Sequence, residues 1–547
     1  ILSSILPKKI SRLFDIIFSF IFLIYVLGQD VYNNLFNGLF SIRDAANIGE
    51  AADFTSGIYQ FSVFHVMYVL MYFLLVYLVF KHKEIFHIKL RRNNIKKVFQ
   101  FSLLLFYLMN CNAVYPVKTA RLHTSDHYLY YSNFDSNSFA SKFSLLNLLT
   151  RDFGGALIPS FGNSKKEEYI DEYFDTHTKE HVDNEYTGVF EGKNLIFIVA
   201  ESYDEIALSE ELTPNIFKLK AEGIDFVNHY TPVFPRTTCD TEILFNTGLI
   251  PSISNGPTCY IYNQNSYTNS LPELFNNKDY ETKALHSNDR DFYTRDIVYE
   301  GFGYDEFLGR EDLGLSLIDI RYDSVFETKA IDEMVSVDNN FFSFVITLSG
   351  HSPYSMVNLA VEKNIQLVEN HYGDSIPSSI KNFIATQIEM DIFVGNLLAD
   401  LETRNILDDT VIIFTNDHYP YTLNQKDYEE MIGTNDIHDK QKGFMYIWST
   451  DTVHKEVTTL SSSIDLLPTI ANLFSLDANY TEYIGNDIFD DLETRYVLFK
   501  DYFVYDGSSY IDLTKENNLV QEDFYIIINE YYELSSKILT VDYFKKE

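Results

Sequence analysis

Cysteine is nearly absent from this chain. Three in 547 residues are too few for a disulfide scaffold, and Cys111, Cys239 and Cys259 show no zinc-finger spacing. Basic residues are scarce as well: 42 Lys and Arg stand against 78 Asp and Glu, a formal net charge of −36. That balance argues against a nucleic-acid partner. The deficit is uneven, since residues 1–116 carry 11 basic and 6 acidic side chains and the remainder 31 and 72. What is present is ordinary for a packed protein, with 46% hydrophobic and 22% charged residues, which excludes wholesale disorder. The length is several times the ~150 residues of a typical domain, so more than one module is expected.

Three apolar stretches mark the first module, residues 1–116: Leu13 to Gly28, Ile58 to Phe80 and Val98 to Tyr115. The middle one has no Asp, Glu, Lys or Arg and is long enough for a hydrocarbon core of ~30 Å. All three are expected to be transmembrane helices. Lys8, Lys9 and Arg12 precede the first, and seven cations from Lys81 to Lys97 fill the loop between the second and third. The loop from Gln29 to Ser56 holds only Arg43. The positive-inside rule then places everything after Pro116 outside the cytoplasm, which makes this a multi-pass protein of the cell membrane with an extracellular remainder. The chain opens on Ile1, and Ile1 to Leu6 reads as the tail of an earlier apolar segment, so further spans are expected upstream. Residues 117–193 are expected to form an extracellular linker. Within it, Phe139 to Leu149 suits a short amphipathic helix, lying on the membrane or packed on the outer domain, and the charged run Lys165 to Glu185 suits a solvated linker.

From Asn194 to about residue 510, short apolar runs alternate with helical patterns. Asn194–Ala200, Thr282–Leu285, Phe341–Leu348 and Thr410–Thr415 read as buried strands. Thr213–Glu222, Leu271–Asn276 and Ser378–Arg404 read as helices. This is an α/β pattern: a mostly parallel sheet flanked by helices. Residues 511–547 form a C-terminal tail with no readable chemistry.

The polar residues fall at strand ends. Glu201 follows the first strand, His286 the second, His351 comes just after the third, and Asp417 and His418 follow the fourth. In open α/β sheets, ligands bind at the carboxyl ends of the strands. One acidic residue there is most often a helix cap; four strands sending carboxylates and imidazoles to one edge make a site. Its oxygen-rich donors suit Mn²⁺ or Mg²⁺ ahead of Zn²⁺. A nucleophile candidate sits in F-P-R-T-T-C-D-T-E, Phe234 to Glu242, where Thr237, Thr238 and Asp240 could otherwise be plain caps. A threonine at a helix N-terminus lies beside N–H groups that favour phosphate, and a divalent cation would lower its hydroxyl pKa.

These strings resemble the lipoteichoic acid synthases, membrane-anchored phosphoglycerol transferases of the sulfatase and alkaline-phosphatase superfamily. The resemblance covers about residues 190–500. It rests on I-F-I-V-A-E-S at Glu201, T-C-D-T-E at Thr238, H-S-N-D-R-D-F-Y-T-R-D-I-V-Y from His286, T-L-S-G-H-S-P-Y through His351, N-D-H-Y at 416–419, I-D-L-L-P-T-I from Ile464 and G-N-D-I-F from Gly485. The resemblance implies that Glu201, Thr238, Asp417 and His418 hold the metal, with Thr238 as nucleophile. His286, Arg295 and His351 would bind the phosphoglycerol group, with Tyr293 where the synthases carry Trp. A guanidinium fork suits phosphate, although Arg295 could instead pair with Asp296 or Glu300. The family anchor usually has five spans.

The resemblance further implies attack of Thr238 on phosphatidylglycerol, then transfer of glycerophosphate to a lipid-linked glycerophosphate polymer or glycolipid acceptor. His286 or His351 would move the proton. Cys239-Asp240-Thr241-Glu242-Ile243 lacks the Pro and Arg of the C/S-x-P-x-R sulfatase nucleophile motif, which argues against sulfate ester hydrolysis. Cys239 either bonds to Cys259 and braces the site or both remain free thiols. Two rival readings are a phosphoethanolamine transferase and a non-enzymatic membrane receptor.

Overall fold

The computed structural model describes residues 8–36, 39, 63–81, single positions and short pieces between 97 and 130, residues 136–157, 163–235, 237–253, 257–515 and 522–545. It divides into two compact units, one of residues 1–158 with 514–516 and one of 159–513 with 517–547.

In the first unit, Lys8–Phe36 is one helix. Its 21-residue segment Leu13–Asn33 makes it the one described helix long and apolar enough to cross a bilayer. Val63–Lys81 is a second, shorter helix, and the two are joined by His65 Nε2 and Asp30 Oδ2 at 2.9 Å. Most of the third expected span, Val98 to Tyr115, lies outside the described residues, as does nearly all of the cationic loop before it. The expected amphipathic helix is two helices, Ser136–Phe143 and Leu145–Leu157, broken at Ser144, whose φ is 84°. Phe139 and Leu148 bury themselves against Leu129.

The second unit is built on an eight-stranded sheet. Its strands, with one short pair beside it, are β1 (Asn194–Ala200), β2 (Ile224–Phe226), β3 (His229–Tyr230), β4 (Glu281–His286), β5 (Glu306–Leu308), β6 (Phe341–Ile346), β7 (Thr410–Asn416), β8 (Met445–Trp448), β9 (Lys455–Val457) and β10 (Ser461–Ser462). The order in the large sheet is β5-β4-β6-β1-β7-β8-β2-β9, and β3 pairs with β10 apart from it. Only β8 runs against the others. Strand β1 is buried at every position, flanked in parallel by β6 and β7, as its unbroken apolar run requires. The long helix Ser378–Thr403 covers one face with Ile380, Phe383, Ile388, Val394 and Leu398, all buried in the main core.

Register decides what reaches the edge. Ala200 of β1 lies opposite Asn416 of β7, so the next residues, Glu201 and Asp417, leave the sheet side by side. His286 of β4 lies opposite Ile346 of β6, on the same edge.

The charged run expected as a solvated linker is helical over Asn163–Thr176 and packs on the helix Glu522–Val541 of the expected tail. The reason lies in its few aromatic residues: the Lys537 ammonium sits 3.5 Å from the Tyr169 ring centre, and Phe174 meets Tyr543. Those side chains cover one helix face while the charges stay in water.

Candidate functional site

The helix Thr238–Thr247 is buried along its whole length. A helix with no wet face must satisfy its polar side chains internally. Thr241 Oγ1 donates to the Asp417 carbonyl at 2.8 Å, and Asn246 donates to the Glu242 carbonyl at 2.9 Å. Cys239 is bonded to Cys259, 20 residues on; of the two alternatives left open by the sequence, the disulfide is the one formed. It ties this helix to the short helix Thr258–Ile261, where Thr258 Oγ1 also donates to Asp240 Oδ1 at 2.9 Å. Closing a loop of this length constrains the unfolded chain by about 3 kcal/mol. A Cys239→Ser/Cys259→Ser double variant is therefore expected to lose about that much stability, read from the urea unfolding midpoint.

Thr238 opens the helix beneath the sheet edge. Its Oγ1 donates to Asp417 Oδ2 at 2.8 Å and lies 3.5 Å from both Glu201 Oε2 and His418 Nε2. His418 Nε2 is 3.1 Å from Asp417 Oδ2 and 3.7 Å from Glu201 Oε1. The four side chains are buried, and Glu201, Asp417 and His418 offer three ligand atoms within 4.8 Å of one another. Their orientation is fixed from behind. Asp417 Oδ1 accepts from the Ser202 and His418 N–H groups, both at 2.8 Å, Ser202 Oγ donates to Glu201 Oε1 at 2.7 Å, and His418 Nδ1–H faces the Tyr419 carbonyl at 3.1 Å. That last bond makes Nε2 the lone-pair nitrogen, the arrangement of a metal-ligating histidine. Burial, then the charge of Glu201, pushes the Asp417 carboxyl up to about 7 against the opposing pull of His418. Two buried carboxylates beside one imidazole and one hydroxyl fit a divalent cation, which relieves their repulsion.

Gly350 lets the β6 loop pass this cluster. A Cβ there would stand 2.1 Å from the Glu201 carbonyl oxygen, a backbone atom that cannot swing away. Gly350→Ala is expected to destabilise the fold by about 1–3 kcal/mol and to weaken metal retention, measured by thermal melting and by metal analysis after dialysis.

The remaining expected residues form a neighbouring wall. His286 Nδ1 faces the Ile346 carbonyl at 3.0 Å, which makes Nε2 its acceptor nitrogen. Burial, then the nearby charges of Arg295 and His351, holds His286 well below its usual pKa and so neutral. His351 Nδ1 likewise faces the Ser352 carbonyl at 2.8 Å, and burial lowers its pKa. Arg295 does not pair with Asp296 or Glu300. It is buried and forks onto Glu242, with Nη2 2.7 Å from Oε1 and Nε 3.1 Å from Oε2. Tyr299 donates to the same carboxylate at 2.8 Å, and the Tyr293 ring centre lies 5.0 Å from the guanidinium carbon.

Positive φ values gather here: Ser202 at 54°, Thr237 at 47°, Tyr293 at 59° and Thr294 at 51°. Each costs about 1–3 kcal/mol for a side chain of these types, and such strain collects at functional sites. Glu242, Ser202 and Tyr421, whose ring lies 4.9 Å from that of His418, escaped the sequence reading. Only their closeness to Thr238, Glu201 and His418 in the chain could have flagged them. A second His/Asp cluster, His181 with Asp487 and Asp490, is already compensated. Asn184 and Asn472 donate to Asp487 Oδ2 at 2.8 and 2.7 Å, while Lys179 and Arg495 offset Asp490.

A family model described as Sulfatase matches residues 193–476, just over half of the chain. The chain belongs to the sulfatase family. It is similar to the lipoteichoic acid synthase-like protein YvgJ of Bacillus subtilis, 23% identical over 418 residues that cover 70% of this chain and 66% of that one. It is also similar to the lipoteichoic acid synthase of Staphylococcus aureus, 25% identical over 361 residues, 61% of this chain and 54% of that one. It thus spans between half and two thirds of the length of these curated relatives. The crystal structure of the lipoteichoic acid synthase LtaP from Listeria monocytogenes shares the fold, with a TM-score of 0.54 and 20% identity over 68% of this chain and 98% of that one. Within that family fold, the Cys239 sulfur is committed to the disulfide, and the neighbouring Thr238 hydroxyl lies at the cluster.

Proposed function

We propose that this chain is a membrane-anchored, metal-dependent phosphoglycerol transferase that moves glycerophosphate from phosphatidylglycerol to a lipid-linked glycerophosphate polymer or glycolipid acceptor. The observation that carries the reading is a hydroxyl, Thr238 Oγ1, held 2.8 Å from a carboxylate and 3.5 Å from a second carboxylate and an imidazole. The similarity to lipoteichoic acid synthases supports the choice of substrate.

Thr238 Oγ, held 2.8 Å from the Asp417 carboxylate, attacks phosphorus and gives up its proton. The bond from phosphorus to the diacylglycerol oxygen breaks, and that oxygen takes the proton that Thr238 gave up. A glycerophospho-threonine remains. The acceptor hydroxyl then attacks phosphorus, the bond to Thr238 breaks, and Thr238 regains a proton. His286 and His351, each with Nε2 as the acceptor nitrogen, are placed to take the acceptor's proton. Glu201, Thr238, Asp417 and His418 would hold Mn²⁺ or Mg²⁺, which when bound stabilises negative charge on the threonine and phosphate oxygens. Several apolar spans, with the catalytic unit on the extracellular side, would keep it among lipid head groups and raise their effective concentration.

Intact mass spectrometry after exposure to phosphatidylglycerol vesicles and Mn²⁺ tests this. A glycerophosphate adduct on Thr238 is expected. An adduct formed from phosphatidylethanolamine in its place would instead support the phosphoethanolamine transferase reading.

A further inference from the structure

Arg295 is only 2% exposed, and its guanidinium is used unevenly. Nε and Nη2 both donate to Glu242. Nη1 is buried and makes no hydrogen bond. A buried donor left unmade is costly, so an orphan of this kind calls for an explanation. The carboxylate is equally constrained: Oε1 receives Nη2, and Oε2 receives Nε and the Tyr299 hydroxyl at 2.8 Å. Glu242 is itself 3% exposed and lies four residues after Thr238, on the same face of one buried helix. The helix that presents the hydroxyl therefore also grips the arginine. The Tyr293 and Phe292 rings, centred 5.0 and 5.7 Å from the guanidinium carbon, limit its tilt.

We infer that Glu242 is a positioning residue. It occupies the Nε–Nη2 edge of Arg295 so that Nη1 is the donor aimed at an oxygen of the tetrahedral anion bound at Thr238. The inference rests on the reading that such an anion sits there. The two rings limit tilt but not rotation within the guanidinium plane, and without Glu242 nothing would fix which edge faces the anion. A lysine could not take the place of Arg295, because one ammonium cannot serve a carboxylate along one edge and a ligand along another. Tyr299 has the lesser part of keeping the carboxylate flat against the fork.

The test measures inorganic phosphate binding to the Mn²⁺-loaded full chain by calorimetry, beside KM and kcat with phosphatidylglycerol. Glu242→Gln keeps the size but loses the charge, and is expected to weaken phosphate about 10- to 100-fold, the worth of a hydrogen bond to a charged group. Arg295→Ala should do the same, and Glu242→Gln/Arg295→Ala should be no worse than Arg295→Ala, because the two act as one unit. The loss should fall on KM more than on kcat. A purely structural role would lower the melting temperature, leave the folded fraction's phosphate affinity within twofold of wild type and make the losses multiply; that result overturns the inference. If Glu242→Gln does not fold, Glu242→Asp retracts the carboxylate by one methylene and is expected to weaken phosphate about tenfold, with the same twofold limit as the overturning result. Thr238→Ala separates the two readings. Phosphate binding that still depends on Glu242 in that background upholds the inference whatever becomes of transfer.

Discussion

Thr238→Ala is expected to reduce phosphatidylglycerol turnover by about 10⁴-fold or more, the scale seen when a covalent nucleophile is removed, and to abolish the adduct. The fold should survive. The helix is held by the disulfide, by Thr241 on the Asp417 carbonyl and by Thr258 on Asp240, none of which uses the Thr238 hydroxyl. Thr238→Ser keeps an oxygen in place and should retain activity above the alanine variant; Thr238→Val keeps the shape without it and should match alanine. Radiolabelled glycerol release from the lipid reads all three. Turnover by the alanine variant within tenfold of wild type would remove covalent catalysis by this residue.

Metal binding should be visible as stability. At a Mn²⁺ concentration 100 times its dissociation constant, the folded state gains about 2.7 kcal/mol, seen as a rise in melting temperature. Asp417→Asn should lose this gain while leaving the metal-free protein as stable as wild type or more so. The asparagine Oδ1 can still accept from the Ser202 and His418 N–H groups, which Asp417 Oδ1 does at 2.8 Å. The lost negative charge is the one that repels Glu201 in a buried site. Equal Mn²⁺ shifts in the two proteins would show that the cation binds elsewhere.

Much of the site was legible because parallel α/β sheets put chemistry at strand ends. The strand Asn194–Ala200 begins and ends where the apolar pattern placed it, since a strand buried on both faces is apolar almost throughout, and the helix Leu271–Asn276 also has the limits its pattern gave. Glu201, His286, Asp417 and His418 then followed from counting one to three residues onward. Strands β2, β8 and β9 were not legible: they are three or four residues long, too short for a period to show. The helix Asn163–Thr176 was hidden by its charges, because its stability comes from a partner helix some 350 residues along the chain rather than from its own pattern.

The sequence by itself determined the family, the alternation of strands and helices, and the residue types that can hold a cation beside a hydroxyl. It could do so because burial and donor chemistry are properties of residue type and order. Only the tertiary structure decided that Cys239 bonds to Cys259, that Arg295 turns to Glu242 rather than to its chain neighbours, and that Ala200 and Asn416 align so that Glu201 and Asp417 meet. Those outcomes depend on which distant segments pack against each other, and a one-dimensional pattern carries no distances between them.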